Sequence, residues 1–164
     1  MPELGEIRVN LKRESIEMPF ANLCSEVSRF LQGSRKVMES DILLIDDSAI
    51  FRKTVKNLLA SSLPSVSIEE ASDAKEAFGK IDERLPRLIF MDIRLPDKSG
   101  LELTREIKDL HPSVTIVMLS GYDSQETQEV ALAGGASLFL SKGSVTSKEI
   151  VEVAESVLFP NGQE

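Results

Sequence analysis

The run Arg87-Leu88-Ile89-Phe90-Met91-Asp92-Ile93-Arg94-Leu95-Pro96-Asp97-Lys98-Ser99-Gly100 passes from an apolar stretch to one carboxylate and then into a turn. Leu88 to Met91 has the length and composition of a strand buried on both faces, and Pro96 and Gly100 punctuate the segment after it. A strand covered on both sides implies a parallel α/β sheet, and open sheets of that kind bind ligands beyond the carboxyl ends of their strands. Asp92 stands at such an end.

The pattern extends on both sides of this run. Ile42 to Ile45 is a second apolar strand, and the helix after it carries Ile50, Phe51, Val55, Leu58 and Leu59 on one face until Ser61-Ser62-Leu63-Pro64. Val66 to Glu69 is expected to be a strand. Asp73 to Arg84 is expected to be a helix, with Asp73 as N-cap and Ala74, Ala77, Phe78 and Ile81 inward. Downstream, a helix from about Gly100 to Leu110 ends before His111-Pro112, and Val114 to Leu119 forms another strand. Ser124 to Ala133 is helical and closed by Gly134-Gly135, Leu138 to Leu140 is a strand, and Lys148 to Leu158 is a last helix. The chain from residue 40 to 160 therefore reads as five strand–helix units.

At 164 residues the chain has room for one domain and an appendage, and 41% hydrophobic content suits a globular core. No apolar run approaches the roughly 18 residues of a membrane span, and the N-terminus lacks the basic and apolar regions of a signal peptide. A cytoplasmic protein without membrane contact is expected. The single cysteine, Cys24, cannot close an internal disulfide and reads as a small hydrophobe. Residues 1–40 hold six acidic and six basic side chains, which leaves 21 of the 27 acids and 13 of the 19 bases to residues 41–164. The whole excess of −8 thus lies in the second part, a poor surface for nucleic-acid phosphates, so no direct nucleic-acid partner is expected.

Residues 1–39 read as an N-terminal extension. Ile7, Val9 and Leu11 alternate with polar residues, as in a short strand or extended arm. From about 19 to 37 the spacing of Phe20, Leu23, Cys24, Val27, Phe30 and Leu31 predicts an amphipathic helix. Its apolar face needs a cover, which could be the main domain, a second copy in a homodimer, or a partner protein.

In a parallel sheet the strand ends lie together, and here they carry Asp46-Asp47, Asp92, Ser120 and Ser141-Lys142. Three carboxylates at one edge raise one another's pKa unless a cation neutralises them, and carboxylates with a backbone carbonyl and waters form the oxygen shell that Mg²⁺ prefers. The Lys142 ammonium could hold a dianionic group and the Ser120 hydroxyl could donate to it. That set suits phosphoryl transfer onto an aspartate, where positioning and charge neutralisation do most of the work. A phosphatase of the haloacid-dehalogenase kind would need a second aspartate two residues after Asp92, and position 94 is arginine.

The runs Ile42-Leu43-Leu44-Ile45-Asp46-Asp47-Ser48, Leu88 to Leu103 around Asp92, Ile116 to Gly121 around Ser120, and Ala133 to Lys142 resemble the response-regulator receiver domain of two-component signalling. The resemblance implies a flavodoxin-like (βα)5 three-layer sandwich with a parallel sheet in the order 2-1-3-4-5, to which the N-terminal helix is added. It implies that Asp92 is the phosphoacceptor. Mg²⁺ would be held by Asp46, Asp47, Asp92 and the backbone carbonyl of Arg94, Ser120 and Lys142 would meet the phosphoryl group, and Phe139 would be the switch aromatic. The implied donor is a sensor histidine kinase or a histidine phosphotransfer protein. The implied output is a change in the face made by the domain's fourth helix, fifth strand and fifth helix; no output domain is visible within these residues, so the expected reader is another protein unless the chain is part of a longer regulator. A receiver fold used as a phosphorylation-independent docking module is the alternative. The resemblance departs at Gly143, where many receivers have a proline after the lysine. A cis bond outside X-Pro costs roughly 2.5–4 kcal/mol, so Lys142–Gly143 is expected to be trans.

Overall fold

The computed structural model describes residues 6–11, 14–19 and 40–160, and contacts divide the chain into two units, Met1–Val37 and Met38–Glu164. In the first unit, β1 (Glu6–Leu11) pairs antiparallel with β2 (Glu14–Pro19), in a register that sets Ile7 opposite Met18 and Val9 opposite Ile16. The alternation at residues 7, 9 and 11 is thus one arm of a hairpin, and the second arm has the same period. The helix expected over about 19–37 lies, from residue 20 onward, outside the described residues.

The second unit is built as five strand–helix repeats. The strands are β3 (Ser40–Ile45), β4 (Ile68–Ala71), β5 (Pro86–Met91), β6 (Thr115–Ser120) and β7 (Leu138–Ser141). Alternating with them are α1 (Ala49–Ser62), α2 (Ala74–Glu83), α3 (Gly100–Leu110), α4 (Gln125–Ala133) and α5 (Ser147–Leu158). The strands form one sheet in the order β4-β3-β5-β6-β7, all parallel, which is 2-1-3-4-5 counted within the domain. This is the flavodoxin-like three-layer sandwich, and the fold expected of residues 40–160 is the one observed.

Alternation along the strands explains the layers. Leu43, Ile45, Ile89, Met91, Ile116 and Met118 face a core that also takes Ala74, Ala77 and Ile81 from α2, Leu103 and Ile107 from α3, and Ala131 from α4. Their neighbours Ile42, Leu44, Leu88, Phe90, Val117 and Leu119 face Val55 and Leu59 of α1 and Ile150, Ala154 and Leu158 of α5. Both sets are apolar, hence the continuous hydrophobic runs. Each helix begins on a side-chain cap: Ser48, Asp73, Ser99, Ser124 and Thr146, the last in a capping box with Glu149.

Two expectations are corrected. The second strand of the domain is Ile68–Ala71, not Val66–Glu69. The Val66 N–H donates to the Leu63 carbonyl in the turn that closes α1, and the ladder begins at Ile68 opposite Ile42. Ile50, placed inward by its hydrophobicity, is 82% exposed. At 100° per residue it lies half a turn from Leu59, while Phe51, Val55 and Leu58 follow the buried stripe. Lys142–Gly143 is trans, as expected.

Candidate functional site

The carboxyl end of the sheet collects Asp46, Asp47, Asp92, Ser120 and Lys142. Asp92 follows β5 directly, and its N–H donates to the Ile45 carbonyl at 2.8 Å, which keeps it in register with the end of β3. Asp46 is fixed the same way on the other flank, its N–H donating to the Ala71 carbonyl of β4 at 3.1 Å. Ser48 takes the cap of α1, so neither Asp46 nor Asp47 is used as one. Asp46 and Asp92 are 4% and 7% exposed, whereas Asp47 lies in solvent.

Oxygens of the three carboxylates all lie within 4.8 Å of one another. Lys142 answers that charge: its ammonium donates to Asp46 Oδ2 and, at 2.9 Å, to Asp92 Oδ2. The other oxygens are also held, Asp46 Oδ1 by the Ser48 N–H at 2.8 Å and Asp92 Oδ1 by the Ile93 N–H at 2.7 Å. Burial pushes the Asp46 carboxyl above the ordinary carboxylate range, against the opposing pull of Lys142 and the Ser48 N–H. Burial acts to lower the Lys142 pKa, but the hydrogen bonds to Asp46 and Asp92 outweigh it, so the pKa is raised and the ammonium stays charged.

An octahedral Mg²⁺ shell places oxygens about 2.1 Å from the ion, hence up to about 4.2 Å apart. The three carboxylates are close to that spacing, and as hard oxygen donors they fit the ion. Ser120 is fully buried at the end of β6, where its carbonyl accepts the Lys142 N–H at 2.9 Å and its Oγ accepts the Tyr122 N–H at 3.2 Å. Phe139 lies opposite Met118 in the β6–β7 ladder, half-buried against the α2–α4 side of the core. The Arg94 side chain stacks on the Tyr122 ring, its guanidinium carbon 3.6 Å from the centroid.

Several further contacts at the site are not signalled by the sequence. Phe51 lies beneath Lys142, the ammonium 4.3 Å from its ring centre, and Arg52 donates to the Asp46 carbonyl. Asp97 reaches back to the start of α2, accepting the N–H of Ala74 at 2.9 Å and of Lys75 at 3.0 Å. Phe51 and Arg52 reach the site from the first turn of α1 and Asp97 from the loop after β5, and hydrophobic periodicity encodes none of these contacts.

Residues 42–155 match the family model of the response regulator receiver domain. The chain belongs to this family. The receiver is 33% identical over 117 residues to the transcriptional activator protein ExaE of Pseudomonas putida, a match covering 71% of this chain and 54% of that protein. It is 32% identical over 105 residues to the chemotaxis protein CheY of Bacillus subtilis, covering 64% and 87%. Among solved structures, the receiver domain of NtrX from Brucella abortus superposes with a TM-score of 0.66 at 37% identity, over 72% of this chain and 98% of that one. The chain thus spans about half the length of ExaE. Receiver domains are modules of two-component signalling, and this one carries an acidic cluster at the sheet edge.

Proposed function

We propose that this receiver accepts a phosphoryl group on Asp92 from a phosphohistidine of a sensor histidine kinase or a histidine phosphotransfer protein. An Asp92 carboxylate oxygen attacks phosphorus, the P–N bond breaks, and the imidazole leaves with the bonding electron pair. The observation that carries this reading is Lys142, whose ammonium bridges Asp46 and the acceptor itself. It is positioned to follow the charge as that charge passes from carboxylate to phosphoryl oxygens.

Asp46, Asp47, Asp92 and the Arg94 carbonyl would hold Mg²⁺, which when bound supplies positive charge against the phosphoryl oxygens. Ser120 donates its hydroxyl to the phosphoryl group, and Phe139 follows into the space released. The change is then read on the face of α4, β7 and α5 by a downstream protein. The acidic excess of the domain argues against direct nucleic-acid contact, and the product is a signalling state, not a released metabolite.

Acetyl phosphate with Mg²⁺ should add one phosphate to the wild-type chain and none to Asp92→Ala, read by intact mass. Stoichiometric labelling of Asp92→Ala would overturn the assignment.

A further inference from the structure

On the solvent side of Asp92 and Ser120, two contacts take no part in the reaction described above. The Arg94–Tyr122 stack joins the loop leaving β5 to the loop leaving β6, and Ser141 Oγ donates to Asp123 Oδ2 at 2.6 Å, joining that second loop to the end of β7. Residues 122 and 123 are therefore fastened on both sides, across three adjacent strand ends. Tyr122 also holds Ser120, since its N–H donates to Ser120 Oγ. The hydroxyl that would meet the phosphoryl group is thus tied to a strap whose outer anchor is a cation on a ring, with Tyr122 46% exposed.

We infer that the Arg94–Tyr122 stack keeps Ser120 in its unphosphorylated position, and that engagement of Ser120 with a phosphoryl group on Asp92 opens the strap. This rests on the phosphoacceptor reading. A contact made in only one of two arrangements lowers the population of the other by its own free energy. For an exposed cation–π pair that is about a two- to fivefold effect. Tyr122 is then a positioning residue: it touches no reacting atom and sets how readily Ser120 moves. The ring is what matters, so phenylalanine should serve and alanine should not.

The test is the rate of Asp92 labelling by acetyl phosphate and Mg²⁺ in the full chain. Tyr122→Ala should accelerate labelling about two- to fivefold in the wild-type background and leave the rate unchanged in an Arg94→Ala background, because the stack is already gone there. Tyr122→Phe should label at the wild-type rate. The chain has one tyrosine, so selective isotope enrichment of tyrosine isolates the ring resonances of Tyr122 from those of the seven phenylalanines. They should shift on labelling of the wild type and already lie near the shifted position in unlabelled Arg94→Ala. Equal acceleration by Tyr122→Ala in both backgrounds, or no acceleration with full labelling, would overturn the strap alone. Absence of label on wild-type Asp92 would overturn the phosphoacceptor reading and the strap with it.

Discussion

Gly100 shows how closely the backbone is drawn in around the acceptor. Its N–H donates to the Ile93 carbonyl at 2.7 Å, and a Cβ at this position would lie 2.0 Å from the Asp92 carbonyl oxygen. Both atoms of that clash belong to the backbone or are fixed to it, so a side-chain rotation cannot relieve it. Gly100→Ala should therefore destabilise the protein by about 1–3 kcal/mol, the range for overpacking, and displace Asp92 enough to slow its labelling. Gly79 provides the opposite case. It lies inside α2 with nothing within 4 Å of the point where a Cβ would stand, so Gly79→Ala should stabilise by about 0.5–1 kcal/mol through helix propensity alone. Urea midpoints of the two variants should move in opposite directions from that of the wild type. The glycine at 100 is visible in the sequence as a turn residue, but its contact with the residue eight positions earlier is not.

At the scale of elements, Asp97 ties the loop after β5 to the first turn of α2. Its carboxyl is held below its ordinary value of 3.8, foremost by the Ala74 N–H and also by that of Lys75, while some desolvation acts in the opposite direction. Because the folded pKa is depressed, the stabilisation is fully present above the unfolded-state value and is lost as pH falls through the folded one. The urea midpoints of wild type and Asp97→Asn should accordingly differ near neutral pH and converge in acid below that ordinary value. A constant difference down to low pH would show that the carboxylate charge plays no part. The same loop marks where the sequence stops being informative. Elements are legible in the chain where burial repeats, as in Leu88 to Met91, or where caps are local, as at Asp73. The start of the strand at 68–71 is hidden because Val66, apolar and β-branched, spends its N–H on a turn bond to Leu63. Ile50 misleads because its hydrophobicity suggests burial at a position off the helix stripe. The carboxylates and Lys142 can be grouped because a parallel sheet brings its strand ends together whatever the loops do, whereas Asp97 and Tyr122 depend on the loops themselves and Arg52 on how α1 is seated over the Asp46 carbonyl.

For the molecule as a whole, the acidic cluster exists only when the sheet is assembled, since Asp46 and Asp47 come from the end of β3 and Asp92 from the end of β5. An ion that binds the assembled cluster and not the unfolded chain stabilises the fold by mass action. At ten times its Kd that amounts to about 1.4 kcal/mol. For a chain of this size, where 1 kcal/mol moves the melting temperature by about 2–4 °C, the rise should be about 3–6 °C. Magnesium could also raise the melting temperature by screening the net charge of −8, an effect spread over the whole surface. Asp47 separates the two causes: it is exposed and outside both cores, so Asp47→Ala should fold normally and change the net charge by only one. With ionic strength held constant, the wild type should show the magnesium-dependent rise and Asp47→Ala should lose most of it. An equal rise in both chains would assign the effect to screening and remove the support for a site formed by these three carboxylates.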